Sequence, residues 1–250
     1  MSSSLFTYLL RQGDNSLVLG HRLSELCSKG PILEEDIAIS NIALDHLGHA
    51  QMLLKYAAQI ENEGRTEDDL AYKRAERQFL NTLIMEQPNG DFGQVIARNF
   101  LIDAFQLPFY EAMLHSKDET LQGIAAKAVK EARYHLRHSS QWMLRLGDGT
   151  QESHERVEAG LDIIWPFVHE LFEKDPIEEE MITAGIAPDP DKIRPIWDKT
   201  VNDLLSEATL DRPEDGYKQK GGRDGIHSEH LGFMLAEIQY LPRAYPDATW

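Results

Sequence analysis

Cysteine is almost absent. The one thiol, Cys27, cannot form an internal disulfide and cannot build a Cys-based zinc or iron–sulfur centre. Long apolar runs are missing, and no stretch approaches the roughly 20 residues of a membrane span. The opening MSSSLFTYLLRQG has a short apolar run and no basic leader, which is not a signal-peptide pattern. Positive charge is scarce: 25 Lys and Arg face 42 Asp and Glu, a formal net charge of -17. Nucleic acid and anionic membrane both select cationic surfaces, so neither is expected as a partner. Also missing are alternating strand-like segments with hairpin turns, internal repeats, low-complexity tracts and any linker that would mark a second domain. A cytoplasmic, all-α chain forming a single domain over residues 1–250 is the expectation.

What is present is helical periodicity. In Glu34 to Glu63, the residues Ile39, Ile42, His46, His49, Leu53, Tyr56 and Ile60 recur at steps of three and four and share one face. Leu5 to Lys29 reads as a helix before it, bent at Gly13-Asp14-Asn15 and ended by Gly30-Pro31. After the loop signal Gln87-Pro88-Asn89-Gly90 come two more long helices. Asp91 to Ser116 carries Ile96, Phe100, Asp103, Leu107, Tyr110 and Leu114 on one face, with Pro108 as a kink. Glu119 to Leu146 carries Leu121, Ile124, Ala128, Glu131, His135 and His138. Shorter helices follow at Ser153 to Glu173, Ile177 to Ala184, Lys192 to Ala208 and Ser228 to Tyr240, the last ending before Pro242. Long helices joined by short connections predict a bundle with additional C-terminal helices.

The inward polar residues resemble the ligand set of a di-iron bundle without completing it. In such ferritin-like proteins two helices each give Glu-x-x-His and two others each give a Glu. Here the spacing reads His46-Leu47-Gly48-His49, and Glu131-Ala132-Arg133-Tyr134-His135. The first helix puts no carboxylate on its inner stripe, where only His21 comes near, and Asp45 points about a hundred degrees from His46. Carboxylate oxygens bridge and neutralise paired irons. The set His46, His49, Asp103, Glu131 and His135 therefore reads as relic positions with no metal held, the acids paired with a neighbouring His or Arg, such as Arg98 or Arg133. The competing reading keeps a working metal site on Asp103, Glu131, His49 and His135 with His46 or Asp45, and so a metalloenzyme. Iron storage is a weaker third reading.

Lys73, Arg74 and Arg77 form a basic cluster in this acidic chain. Asp69 and Lys73 are spaced as a solvated helix pair; Arg forks in such a cluster also suit phosphate oxygens. The central and fourth helices are apolar on more than one face and are the interface candidates, with Trp142, Trp165 and Trp250 as anchors or as core.

Six stretches together carry a resemblance over nearly the whole chain: Gly13-Asp14-Asn15 with LVLGHRLSEL, NIALDHLG from Asn41, ERQFLN from Glu76, MEQPNGDF from Met85, KEARYHLRHS from Lys130 and HSEHLGFMLAEIQYL from His227. The chain resembles the C-subunit family of bacterial phenylacetyl-CoA epoxidases, the ring 1,2-epoxidases of aerobic phenylacetate breakdown. The resemblance implies a ferritin-like fold and a structural, non-catalytic role without a cofactor of its own. It implies a di-iron A subunit as catalytic partner, a B subunit and a reductase supplying electrons, with phenylacetyl-CoA at the A/C interface; the isolated chain could also pair with itself. By position, Gln78, Phe79, Leu80 and Asn81 are implied to touch the CoA part, with Arg74 and Arg77 meeting its phosphates. Glu178, Glu179 and Glu180 are a second candidate, where backbone N–H groups would have to offset the acids.

Overall fold

The computed structural model describes residues 2–246 and 248. Among them the chain forms eleven α-helices and no strand, and no helix is long and apolar enough to cross a membrane. Two compact units emerge: Met1–Pro88 with Lys220–Trp250, and Asn89–Gln219.

The first unit is built on α1 (Ser2–Ser24) and α2 (Leu33–Glu61). The stripe on α2 buries as its spacing predicts as far as Leu53, with Ile39, Ile42, His46, His49 and Leu53 all at most 3% exposed, while Tyr56 and Ile60 are only half-buried and Ala57 and Ala58 take the inner row. Gly20 faces Ala43 and Leu47 while Gly13 faces Leu54, so the two helices run antiparallel. A Cβ at Gly20 would stand 3.2 Å from the Ala43 carbonyl oxygen, which is why a residue without a side chain serves there. α1 is continuous through Gly13-Asp14-Asn15 and ends at Ser24, earlier than Gly30-Pro31 suggests; residues 25–29 are turns, with Ser28 in the left-handed region at φ 66°. α3 (Glu67–Tyr72) starts in a capping box of Thr66 and Asp69. A strap follows, with a single 3-10 turn at Glu76–Gln78, and leads into α4 (Leu83–Glu86). The C-terminal α10 (Glu229–Ile238) and α11 (Tyr240–Ala244) return to this unit. Pro242 lies inside α11 and does not bar it, since a proline in the first turn forfeits no helical bond.

The second unit is centred on α5 (Phe92–Met113), which is buried nearly all round and continues through Pro108. Asp91 caps it, accepting from the Gln94 N–H at 3.0 Å. α6 (Glu119–Gly147) is capped by Asp118 and lies antiparallel to α5, since Ser139 meets Asp103 and Arg133 meets Glu111. α7 (Gln151–Ile164) crosses α5 closely, and a Cβ at Gly160 would lie 2.7 Å from the Gln94 Cα. At Trp165–Phe172, where Pro166 stands, the helix tightens to 3-10. α8 (Pro176–Thr183) and α9 (Pro190–Glu207) complete the unit.

Trp197 of α9 is fully buried and donates its indole N–H to the Leu101 carbonyl at 2.9 Å. Trp165 packs beside it, with the Arg212 guanidinium 5.0 Å above the Trp165 ring. Trp165 is therefore a core residue. Trp142 is half-buried and edge-on to Phe92, while Trp250 lies outside the described residues.

Candidate functional site

Residues from four of the six segments that carry the family resemblance, scattered along the sequence, meet in the first unit in one buried polar network. Asp14 of α1, at 0% exposure, grips both terminal nitrogens of Arg74, itself 3% exposed. The same carboxylate accepts the Leu80 N–H at 2.8 Å. Arg74 also donates to the Leu70 carbonyl and, at 2.6 Å, to the Gln78 carbonyl, and its guanidinium lies 4.2 Å over the Phe79 ring. Next to it, Asn15 Oδ1 accepts from the Thr82 N–H at 2.8 Å. The strap is thus clamped to one turn of α1 by two adjacent side chains.

A second acid completes the network. Glu86 of α4 is fully buried and accepts from Asn81 at 2.9 Å, the Ser228 N–H at 2.7 Å and His227 at 2.8 Å. The other ring nitrogen of His227 faces the Phe79 carbonyl at 2.8 Å. Burial alone would lower this imidazole's pKa, but the hydrogen bond and charge of Glu86, the Phe79 carbonyl and the charge of Asp14 lift it above the ordinary value. Arg22 of α1 ties the Glu86 carbonyl (2.9 Å) to that of His230 (3.1 Å). The Gly-rich segment closes on the strap from outside. A Cβ at Gly222 would lie 2.1 Å from the Asn81 carbonyl oxygen, so only glycine admits this contact.

This geometry redistributes the residues expected at a ligand. Arg74 does not fit a phosphate contact, because its guanidinium is committed to Asp14 and two carbonyls inside the fold. Phe79 and Asn81 are at 0% exposure and serve the core and Glu86. Arg77 and Gln78 are exposed and Leu80 is half-buried, so these present the strap to solvent. Lys73 pairs with Asp69 at 2.7 Å, the solvated helix pair that their spacing suggests. Its side chain borders a cavity of about 610 Å³ walled by Tyr72, Leu241 and Tyr245. At α8, Asp175 already accepts the N–H groups of Ile177 (3.0 Å) and Glu178 (2.9 Å), and Glu178 is buried. The N–H groups that would have to offset Glu178, Glu179 and Glu180 at a phosphate are therefore largely used.

The relic positions fall in both units. On α2, His46 and His49 are each 1% exposed, with ring centroids 6.1 Å apart. In the second unit, Asp103 accepts the Ser139 hydroxyl at 2.7 Å, and burial pushes its pKa up to about 6 against the opposing influence of His135, Ser139 and His138. Its partners are thus Ser139 and two imidazoles, not Arg98, which donates to Asn89 at 2.8 Å, nor Arg133, which meets Glu111 at 3.0 Å. Glu131 sits at the margin of α6 with its side chain 20% exposed, 3.8 Å from Lys127. The buried stripe of α6 runs instead through Ala128, Ala132, His135 and Ser139. Sequence reasoning missed Ser139, which lies four residues beyond His135, and Asp14, which it read as part of a bend.

Among the described residues no group of three or more His, Cys, Asp or Glu side chains is arranged to hold a metal ion. With only two acids, Asp103 and Glu131, among the five relic positions, and Asp103 bound to a hydroxyl, this donor set does not fit a carboxylate-bridged pair of irons.

A family model described as phenylacetic acid catabolic protein matches residues 1–250. The chain is 47% identical over 248 residues to the C subunit of the 1,2-phenylacetyl-CoA epoxidase of Escherichia coli, covering 99% of this chain and 100% of that protein. The family's fold is a ferritin-like helical one, in keeping with the strand-free chain described above.

Proposed function

The chain belongs to the phenylacetic acid catabolic protein family, and from that premise we propose that it serves as the C subunit of a phenylacetyl-CoA epoxidase in phenylacetate breakdown. In this reading it supports a di-iron A subunit without performing the chemistry, alongside a B subunit and a reductase. The observation that carries the reading is the likeness to an epoxidase C subunit along the full length of both chains. The non-catalytic part draws support from the donor set: one buried acid bound to a serine hydroxyl, and a second acid paired with lysine at the helix margin.

The same reading gives the strap a task. Asp14, Arg74, Glu86 and His227 hold its backbone from beneath, and Arg77 and Gln78 face outward on that rigid base. Arg77 supplies a cation for a CoA phosphate, and the Gln78 amide a hydrogen-bonding group for the adenine or pantetheine. Binding is thereby assigned to the exposed members of the stretch.

Reconstitution tests the proposal. The A and B subunits and reductase are assayed for O2-dependent epoxidation of phenylacetyl-CoA with and without this chain, and the purified chain is analysed for iron. Turnover that requires the chain, from a chain holding no stoichiometric iron, is the expected result. Full turnover in its absence would overturn the subunit role. One or two irons per chain, lost in His49→Ala or Glu131→Ala, would overturn the non-catalytic role.

A further inference from the structure

α2 is apolar on two faces, and only one of them is buried. On the other, Leu33 is 70%, Ile37 53% and Leu44 64% exposed, preceded by Ile32 at 51%. At about 100° per residue, Leu33, Ile37 and Leu44 fall within about 40° of one another and form one stripe along the outside of the helix. The stripe runs into a groove of about 380 Å³, with Leu44, Gly48 and Gln51 of α2 on one side and Ala71 and Tyr72 of α3 on the other. Scattered exposed aliphatics are ordinary, but a stripe of them that enters a groove marks a contact surface. α6 offers no counterpart, since Tyr134 is its only strongly exposed large hydrophobic among the described residues.

The charges around the stripe select its occupant. Glu34 and Asp36 flank it, and Glu67 and Asp68 line the groove. Neither Glu34 nor Glu67 has a salt bridge among the described residues. No Lys or Arg lies between Leu33 and Gln51. A second copy of this chain would bring acid against acid, with a net charge of -17 on each side. We propose that the outer face of α2, from Leu33 to the groove at Gly48, seats a helix of a different protein, one with an apolar stripe flanked by Lys or Arg. Resting on the function proposed above, that protein is the catalytic partner subunit. Apolar contact supplies affinity, and the acid border supplies orientation and discrimination against self-pairing.

The test uses the full chain and the purified A subunit, with the dissociation constant measured at low and moderate salt. Ile37→Glu and Leu44→Glu are expected to weaken binding at least tenfold with an unchanged circular-dichroism spectrum and melting temperature. The double variant Glu34→Lys/Glu67→Lys, which leaves the apolar contact intact, is expected to bind several-fold more weakly and with a flatter salt dependence. Ile163→Glu and Ile196→Glu, equally exposed in the other unit (50% and 52%), are expected to bind as wild type. If wild type binds and both α2 variants bind within twofold of it, the seat lies elsewhere and this inference falls while the subunit role stands. If wild type does not bind the A subunit at all, the subunit role itself falls. If the isolated wild-type chain is a dimer and Leu44→Glu makes it monomeric, the occupant is a second copy and the inference is overturned.

Discussion

Removing one partner of the Asp14–Arg74 pair is the most informative perturbation of this fold. Both side chains are essentially inaccessible, at 0% and 3%. Breaking a buried pair from one side typically costs about 3–5 kcal/mol, because the remaining charge has no compensation. For a chain of this size that corresponds to a fall of roughly 6–20 °C in melting temperature. The two single variants should differ. Asp14→Ala leaves the guanidinium its two carbonyl acceptors and the Phe79 ring. Arg74→Ala leaves the carboxylate with the Leu80 N–H at 2.8 Å, and is expected to cost more. The double variant Asp14→Leu/Arg74→Met removes both charges and should recover most of the loss. Roughly 1–3 kcal/mol should remain, because the Leu80 N–H keeps no acceptor from the pair. Urea unfolding of wild type, Asp14→Leu, Arg74→Met and the double variant, followed by circular dichroism, closes the cycle and gives the coupling directly. Single-variant losses below about 1 kcal/mol, or losses that simply add in the double variant, would refute the buried pair as the clamp of the strap.

Three further outcomes are expected. His227 has a raised folded pKa, so its stabilisation is fully present below the ordinary histidine value of 6.5 and is lost as pH rises through the raised value. Denaturation midpoints between pH 6 and 9 should therefore fall in wild type and stay flatter in His227→Gln, and equal slopes would contradict the Glu86–His227 contact. Asp103 is raised from 3.8 to about 6, so the folded state holds that proton more tightly and stability declines as pH rises from about 4 to 6. Asp103→Asn should then gain up to about 3 kcal/mol at pH 7, with the gain vanishing below about pH 4; a loss at pH 7 would show an ionised Asp103 to be stabilising. In the reconstituted epoxidase, Arg77→Ala should raise KM for phenylacetyl-CoA roughly 2- to 5-fold at unchanged kcat, the scale of a surface ion pair, and an unchanged KM would remove Arg77 from the CoA contact.

The long helices were legible because their signals are local. The three-four alternation marks α2, α5 and α6, and the structure adds Asp91 and Asp118 as caps where the periodic runs begin. Where local signals misled, another conformation was available. The Gly30-Pro31 pair looks like the end of the first helix, but the helix had stopped at Ser24 and five residues of turn, one of them a left-handed serine, intervene. Periodicity also drifts at 3.6 residues per turn: by the fourth turn of α6 the buried row has moved from Glu131 to Ala132, and with it from His138 to Ser139. A one-residue drift thus moves the Glu131 carboxylate from the buried row to the margin of the helix, 3.8 Å from Lys127.

The candidate site was legible as a set of stretches but not as an assignment of roles, and the reason is sequence separation. Arg74 in an acidic chain, beside Lys73 and Arg77, reads as part of a cationic surface. Its partner Asp14 lies sixty residues upstream, in a stretch that resembles a bend. Glu86 and His227 are separated by more than half the chain. No spacing rule links such pairs; only the antiparallel docking of α1 on α2 and the return of the C-terminal segment bring them together. Distinctive residue strings arise equally from ligand contact and from internal hydrogen bonding, because both demand specific donors and acceptors in fixed places. Within ERQFLN the two demands separate by burial: Phe79 and Asn81 answer to the core, while Arg77 and Gln78 face solvent. The buried members set where the exposed ones stand. Loosening Asp14 or Glu86 should therefore impair ligand binding without either residue touching the ligand, while replacing Arg77 should impair it without loosening the fold.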